Sequence, residues 1–218
     1  MQVVTPVPFY LFSTGYFSRM TVKIPQEFYL QDDVVAIARQ LLGKTLVTRV
    51  DGKITAGTIT ETEAYCGATD KACHAYPNKK TARTQVMFGK GGHSYVYLCY
   101  GIHNLFNIVT NVGGYADAVL IRAVEPVAGE KYMLERKNYM AVKPALTTGP
   151  GSLSKAFGIT TEHYGLPLWG DTIWLEDAPD LPAAAIHSTT RIGVDYAGED
   201  ALLPWRFYMK NSQFVSKR

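Results

Sequence analysis

The chain has 218 residues, of which 47% are hydrophobic and 19% charged, the balance of an ordinary globular domain rather than a disordered or fibrous chain. Lys plus Arg is 22 against 19 Asp plus Glu, a net charge of +3, which does not demand a nucleic-acid partner but allows one if the positive charge gathers on one face. Three cysteines are too few and of the wrong parity for a disulfide framework, and no stretch approaches the roughly 20 apolar residues that span a bilayer.

Residues 1–19 read as a disordered tail, with Met20 a second candidate start. The Phe9-Tyr10-Leu11-Phe12 run has no basic residue before it and makes a poor signal peptide. Residues 20–218 read as one domain, expected in the cytoplasm and, in a bacterium, near the nucleoid.

Asp32-Asp33 before Val34, Ile37, Ala38, Leu41 and Leu42 predicts a capped amphipathic helix that Gly43 closes. Extended runs follow at Thr45–Val50 and Lys53–Glu61, joined by Asp51-Gly52, a strong hairpin signal. Residues 66–92 are rich in Lys, Asn, Thr and Gly and predict a long ordered loop, the kind that usually has a task. Ser94–Tyr100 and Leu105–Thr110 predict a second hairpin that turns at Gly101-Ile102-His103-Asn104. A third run, Ala118–Val124, ends at Glu125-Pro126. Helical character appears at 128–140 and 152–158, and short strands at Thr172–Glu176, Thr190–Val194 and Arg206–Met209. Strands outnumber helices and hairpins outnumber crossovers. That predicts an α+β single domain with a curved, mainly antiparallel sheet, flanking helices and a protruding β-hairpin.

Strand alternation puts Glu61, Glu63 and Tyr65 on one face. Two acids and an aromatic together suit either an active-site edge or a solvent face that ends in a packed tyrosine. Tyr95 and Tyr97 share a face, and Tyr100 sits at the turn of the second hairpin, where there is little core to enter. An exposed aromatic there suits a wedge or a stacking platform. Arg122 interrupts the apolar run Val119–Val124 and needs a partner, because a buried unpaired charge is costly; Glu61 and Glu63 are candidates. Lys71, Lys79, Lys80, Arg83 and Lys90 gather across the long loop, which suits a solvated face or a phosphate-tracking groove. Cys66, Cys73 and His74 lack the paired spacing and fourth ligand of a zinc site, so no metal is expected.

In this order and spacing the motifs resemble the alkyladenine (3-methyladenine) DNA glycosylase family. They are Glu61-Thr-Glu63-Ala-Tyr65, His74, Tyr95-Val-Tyr97-Leu-Cys-Tyr100-Gly101, Asn107 and Leu120-Ile-Arg122-Ala-Val-Glu125-Pro126. Thr148-Gly-Pro-Gly-Ser-Leu153, Arg191-Ile-Gly-Val194, Ala197-Gly-Glu199 and Arg206-Phe-Tyr208 complete the set, from about residue 27 to 216. The resemblance implies a single-domain enzyme that uses no cofactor and releases damaged purines from double-stranded DNA, with a monomer expected. It implies Glu63 as general base, with Arg122 and the backbone carbonyl of Ile192 positioning the water. Tyr65, His74 and Tyr97 would wall the base pocket, Asn107 would crowd the amino group of guanine, and Tyr100 would enter the vacated stack. Arg83, Lys79 and Lys80 are assigned to the DNA backbone. Tyr76-Pro77-Asn78-Lys79-Lys80 and Gln85-Val86 depart from the more basic loop expected of relatives. No lysine falls in the matched active-site segments, so hydrolysis without strand cleavage is expected. A non-catalytic nucleic-acid-binding module would leave Glu63 near anionic DNA unexplained, and a small-molecule hydrolase would leave Tyr100 without use.

Overall fold

A computed structural model describes residues 22–217; the expected tail at 1–19 lies outside the described residues. Eight strands form one antiparallel sheet: β1 (Thr45–Val50), β2 (Lys53–Tyr65), β3 (Ser94–Cys99), β4 (His103–Thr110), β5 (Asp117–Ala128), β6 (Ile173–Glu176), β7 (Ile186–Thr189) and β8 (Arg206–Met209). The main path runs β3-β4-β5-β2-β1-β6, and β8 bridges β2 to β7. Among the described residues three α-helices accompany it, α1 (Val34–Gln40), α2 (Glu130–Lys137) and α3 (Pro150–Phe157). The α+β architecture follows from the sequence.

The local reasons are visible. Asp33 caps α1 by accepting from the Val35 and Ala36 amides, and Ile37, Leu41 and Leu42 are wholly buried. Full burial of each such side chain stabilises the fold by about 1.5–3 kcal/mol. The β1–β2 turn uses Asp51 and Gly52, both with positive φ, the twist that two-residue hairpins favour.

β2 is the organising strand. Its first half pairs with β1, and its second half lies between β5 and β8, so Glu61 and Glu63 face Tyr208 and Arg206 across the ladder. The β2–β5 register slips twice here, from Ile59↔Val124 to Glu61↔Ala123 and then to Thr62↔Ile121. The second slip leaves Arg122 as the extra residue of β5, and a bulge of that kind re-aims a side chain. Thr62 Oγ1 donates to the Ala38 carbonyl on the α1 side, so the two glutamates occupy the other face.

Four expectations need correction, one being the run expected to end at Glu125-Pro126, which continues through both residues as β5 to Ala128. The strand placed at Thr190–Val194 lies instead at Ile186–Thr189, and the later residues form a loop. There the Ile192 amide donates to a carboxylate rather than to a ladder. The helix read at 128–140 contracts to Glu130–Lys137, ended by Asn138 in a left-handed conformation. The strand read as Lys53–Glu61 continues to Tyr65 because β5 and β8 support it on both edges.

Candidate active site

The Glu61–Glu63 edge is not a solvent face. Both glutamates are wholly buried, flanked by strands on each side. Burial of a carboxylate demands donors, and both have them. Glu63 Oε1 accepts from the Ile192 amide at 2.8 Å, and Oε2 accepts from the Tyr65 hydroxyl at 2.7 Å and from Arg122 Nη1 at 3.1 Å. Three of the roughly four lone-pair positions of a carboxylate are thus taken, and the one left is on Oε1.

Arg122 finds both proposed partners. Its Nε donates to Glu61 Oε1 at 3.1 Å while Nη1 reaches Glu63. Glu61 is further held by Arg206 Nε at 2.8 Å and by the amide and hydroxyl of Ser216 at 2.6 and 2.8 Å. Arg206 also donates to the Lys217 carbonyl, so the chain end closes the back of the network. Glu61 is therefore an anchor for Arg122, not a second acid facing solvent.

Tyr65, Arg122 and Ile192 also line a cavity of about 800 Å³, so the Glu63 carboxylate sits directly behind its floor. Tyr97, His74, Tyr95, Asn107 and Arg83 form further parts of the lining. The His74 and Tyr97 rings meet edge to face at 4.6 Å, and Tyr95 and Tyr97 lie 5.4 Å apart. Asn107 Nδ2 donates to the Tyr95 and Leu105 carbonyls at 3.1 and 3.4 Å. Those two acceptors fix the amide orientation, and no described donor takes Asn107 Oδ1.

His74 hydrogen-bonds on both sides. Arg83 Nη2 lies 3.2 Å from Nε2, and Tyr95 Oη lies 2.9 Å from Nδ1. Arginine can only donate, so Nε2 accepts and Nδ1 carries the proton. Although part of the residue is exposed, crowding of the ring, and then the Arg83 charge, push its pKa down to about 4. Burial raises the Tyr65 and Tyr97 hydroxyls above the usual phenol range, so both remain donors.

At the mouth, Tyr100 is 89% exposed and has positive φ, followed by Gly101 with positive φ. That turn carries Leu98, Tyr100 and Ile102 into solvent together. The β3–β4 pairing runs from Ser94↔Ile108 to Cys99↔His103, so the tip rests on a continuous ladder.

A family model for methylpurine-DNA glycosylases matches residues 27–213. The chain belongs to the methylpurine-DNA glycosylase family. Three relatives in that family are provisionally named 3-methyladenine DNA glycosylases. One from Methanocella arvoryzae is 48% identical, over 89% of this chain and 96% of its own. One from Chlamydia felis is 46% identical, over 85% and 95%. One from Bacillus cytotoxicus is 44% identical, over 90% and 100%.

Within this family member, Glu63, Arg122, Ile192, Tyr65, His74, Tyr97 and Asn107 come together in or directly behind one cavity, with Tyr100 on its rim. Ile192 contacts Glu63 through its N–H, while the role expected of its carbonyl is toward the water. Arg83 joins the cavity wall, whereas Lys79 and Lys80 lie exposed on the loop outside the lining. Among the described residues, no three His, Cys, Asp or Glu side chains form a metal-ligating group.

Sequence reasoning missed a second buried pair. Arg191 donates to both oxygens of Asp70, to the Ala64 carbonyl at 2.9 Å and to the Asp200 carbonyl at 3.0 Å. Its guanidinium lies 4.8 Å from the Tyr65 ring and 5.3 Å from the Trp205 ring. It ties the loop bearing His74 to the segment bearing Ile192. The signal was clear for Arg206, which like Arg122 stands between apolar neighbours, and weaker for Arg191, which lies between Thr190 and Ile192.

Proposed function

We propose that this DNA glycosylase extrudes a damaged purine from duplex DNA into the aromatic cavity and hydrolyses its glycosidic bond with a water activated by Glu63. The observation that carries the reading is a buried carboxylate, one acceptor position open, directly behind an aromatic-walled cavity with an exposed tyrosine on its rim. Flipping a nucleotide costs a few kcal/mol, and each base–aromatic stack returns about 1–3 kcal/mol. Tyr65, His74 and Tyr97 would grip the extruded base while Tyr100 fills the gap it leaves. An alkylated purine is cationic, which favours binding against electron-rich ring faces.

The water would take the free position on Glu63 Oε1, beside Arg122 and the backbone of Ile192. As the bond between C1′ and the purine nitrogen breaks, both electrons leave with the base. The water oxygen then joins C1′ and its proton passes to Glu63. One carboxylate thereby steadies the cationic sugar and generates the nucleophile, much as in inverting glycoside hydrolysis. The cavity lining contains no lysine, so no Schiff base forms and the strand stays intact. Asn107 is assigned to exclude the guanine amino group, and Lys79 and Lys80 to the phosphates of the duplex. The enzyme is taken to work as a monomer, in the cytoplasm.

The test uses duplexes carrying a single alkylated purine, with wild type and Glu63→Gln. Wild type should free the base and leave strands that break only after alkali. The variant should release it about 10²–10⁴-fold more slowly while still binding the duplex. Base release by Glu63→Gln at the wild-type rate would overturn the assignment, and nicks before alkali would overturn the monofunctional reading.

A further inference from the structure

Arg83 stands apart from the other arginines of the site. Arg122, Arg191 and Arg206 each have a buried carboxylate partner. Arg83 has no acidic partner among the described residues, and no Asp or Glu lines the cavity. Its guanidinium lies over the Tyr97 ring at 4.7 Å and donates to His74 Nε2 at 3.2 Å. The backbone beneath it is pinned, because the Tyr164 hydroxyl donates to the Arg83 carbonyl at 3.3 Å and accepts from the Val86 amide at 3.0 Å. An unneutralised cation is thus held against two of the rings assigned to grip the flipped base.

We propose that Arg83 is a specificity-determining residue, an uncompensated positive charge in the pocket wall that biases base release toward neutral damaged purines and against cationic ones. This rests on the glycosylase reading above and adds the sign of the selection. The chemistry follows from where the electrons go. When the C1′–nitrogen bond breaks, a cationic purine departs neutral, whereas a neutral purine departs with a negative charge spread over its ring. A fixed cation nearby opposes entry of the first into the pocket, and it stabilises the second as it leaves. The departing anion then takes a proton from solvent. Arg83 also sets what His74 offers: with Nε2 occupied and the Nδ1 proton turned to Tyr95, the ring meets the base without an ionised edge. The ionisable groups around that ring are Arg83 from the loop and Tyr95 and Tyr97 from β3.

The role first expected of Arg83, a phosphate contact, makes a different prediction. A phosphate contact weakens binding alike for every lesion and reduces the salt slope by about one unit.

The experiment measures single-turnover release of hypoxanthine (neutral) and 7-methylguanine (cationic), each from a duplex carrying one lesion, by wild type, Arg83→Lys and Arg83→Met. Loss of the charge in Arg83→Met should lower the hypoxanthine to 7-methylguanine rate ratio by about tenfold, the scale of one partly screened charge interaction. Arg83→Lys keeps the charge and should hold the ratio within about threefold, on the same electrostatic ground. In ¹H–¹³C spectra of the imidazoles, His74 should titrate near 4 in wild type and move upward in Arg83→Met, with burial, the larger cause, still holding it below the ordinary histidine value. An equal fall for both lesions with a shallower salt slope would overturn the proposal, and so would an unchanged ratio. Failure of the parent reading looks different: Glu63→Gln would then release both bases at the wild-type rate, whatever stands at position 83.

Discussion

Replacing Arg191 with Met removes the cation of a pair in which neither side chain is exposed. Asp70 would be left buried, with the Ala72 backbone amide at 2.9 Å as the remaining donor to its carboxylate among those described. Removing one partner of a buried pair costs about 3–5 kcal/mol, because the other charge is stranded. Arg191 Nε has no acceptor among the described residues, so the intact pair is not fully satisfied and the lower half of that range applies. At roughly 2–4 °C per kcal/mol for a chain of this size, the melting temperature should fall by about 6–16 °C. Ile192, whose amide holds Glu63, is the next residue, so base release should fall even at temperatures where the variant is folded. Thermal melts at pH 7 and single-turnover assays well below the variant's midpoint separate the two effects. Asp70→Asn combined with Arg191→Met should cost less than the sum of the single changes, the mark of a coupled pair. A melting shift under about 3 °C, or simple additivity, would show that the pair does not brace the site.

Tyr100→Ala touches no core, so stability should hold while base release at limiting enzyme falls about 10–100-fold, the loss of one stacking partner; unchanged activity would remove the wedge role. Burial pushes the Cys73 thiol up to about 12, so Cys73 should resist a disulfide reagent at pH 8 until the protein is unfolded. Labelling of Cys73 in the native protein, read by peptide mass, would contradict that. His74 has a folded pKa near 4, below the unfolded value, so the unfolded chain binds more protons between those two values. Its contribution is therefore complete above about pH 6.5 and lost as pH falls toward 4. A His74→Gln variant should show a shallower loss of stability over that window in urea melts than wild type.

The sequence reveals whatever a short stretch of chain decides. Asp51-Gly52 must turn because both residues take positive φ, and Tyr100-Gly101 must hold a ring outward because there is no core around a hairpin tip. The need of Arg122 for a carboxylate was legible from its apolar neighbours alone, and both candidates bind it. What sequence could not show was fixed by distant partners. Whether the β2 glutamates faced water depended on β8, which arrives from about 145 residues away. The Asp70–Arg191 pair spans 121 positions, and the expected strand at 190–194 gives way because that pair and Glu63 take its polar groups. Arg83, read as one of several loop cations, differs from Lys79 and Lys80 only through a loop path that no local pattern specifies.

Charge accounting around the site leaves aromatic contact, Asn107 and a single exposed arginine to choose the base. Glu61, Glu63 and Asp70 are matched by Arg122, Arg191 and Arg206, all six buried, so the network behind the floor is neutral. A neutral arrangement avoids the cost of a net charge in low dielectric and keeps each group oriented by its partners. It also means the floor gives little net attraction or repulsion to a base of either charge beyond contact range. Any of the six, if lost, acts on folding as well as chemistry, because each holds another buried charge in place. Arg83 is outside that balance and exposed at the wall, so its removal strands no buried charge, only the acceptor at His74 Nε2. Substitution at position 83 can therefore change which purine leaves without first unfolding the site that releases it.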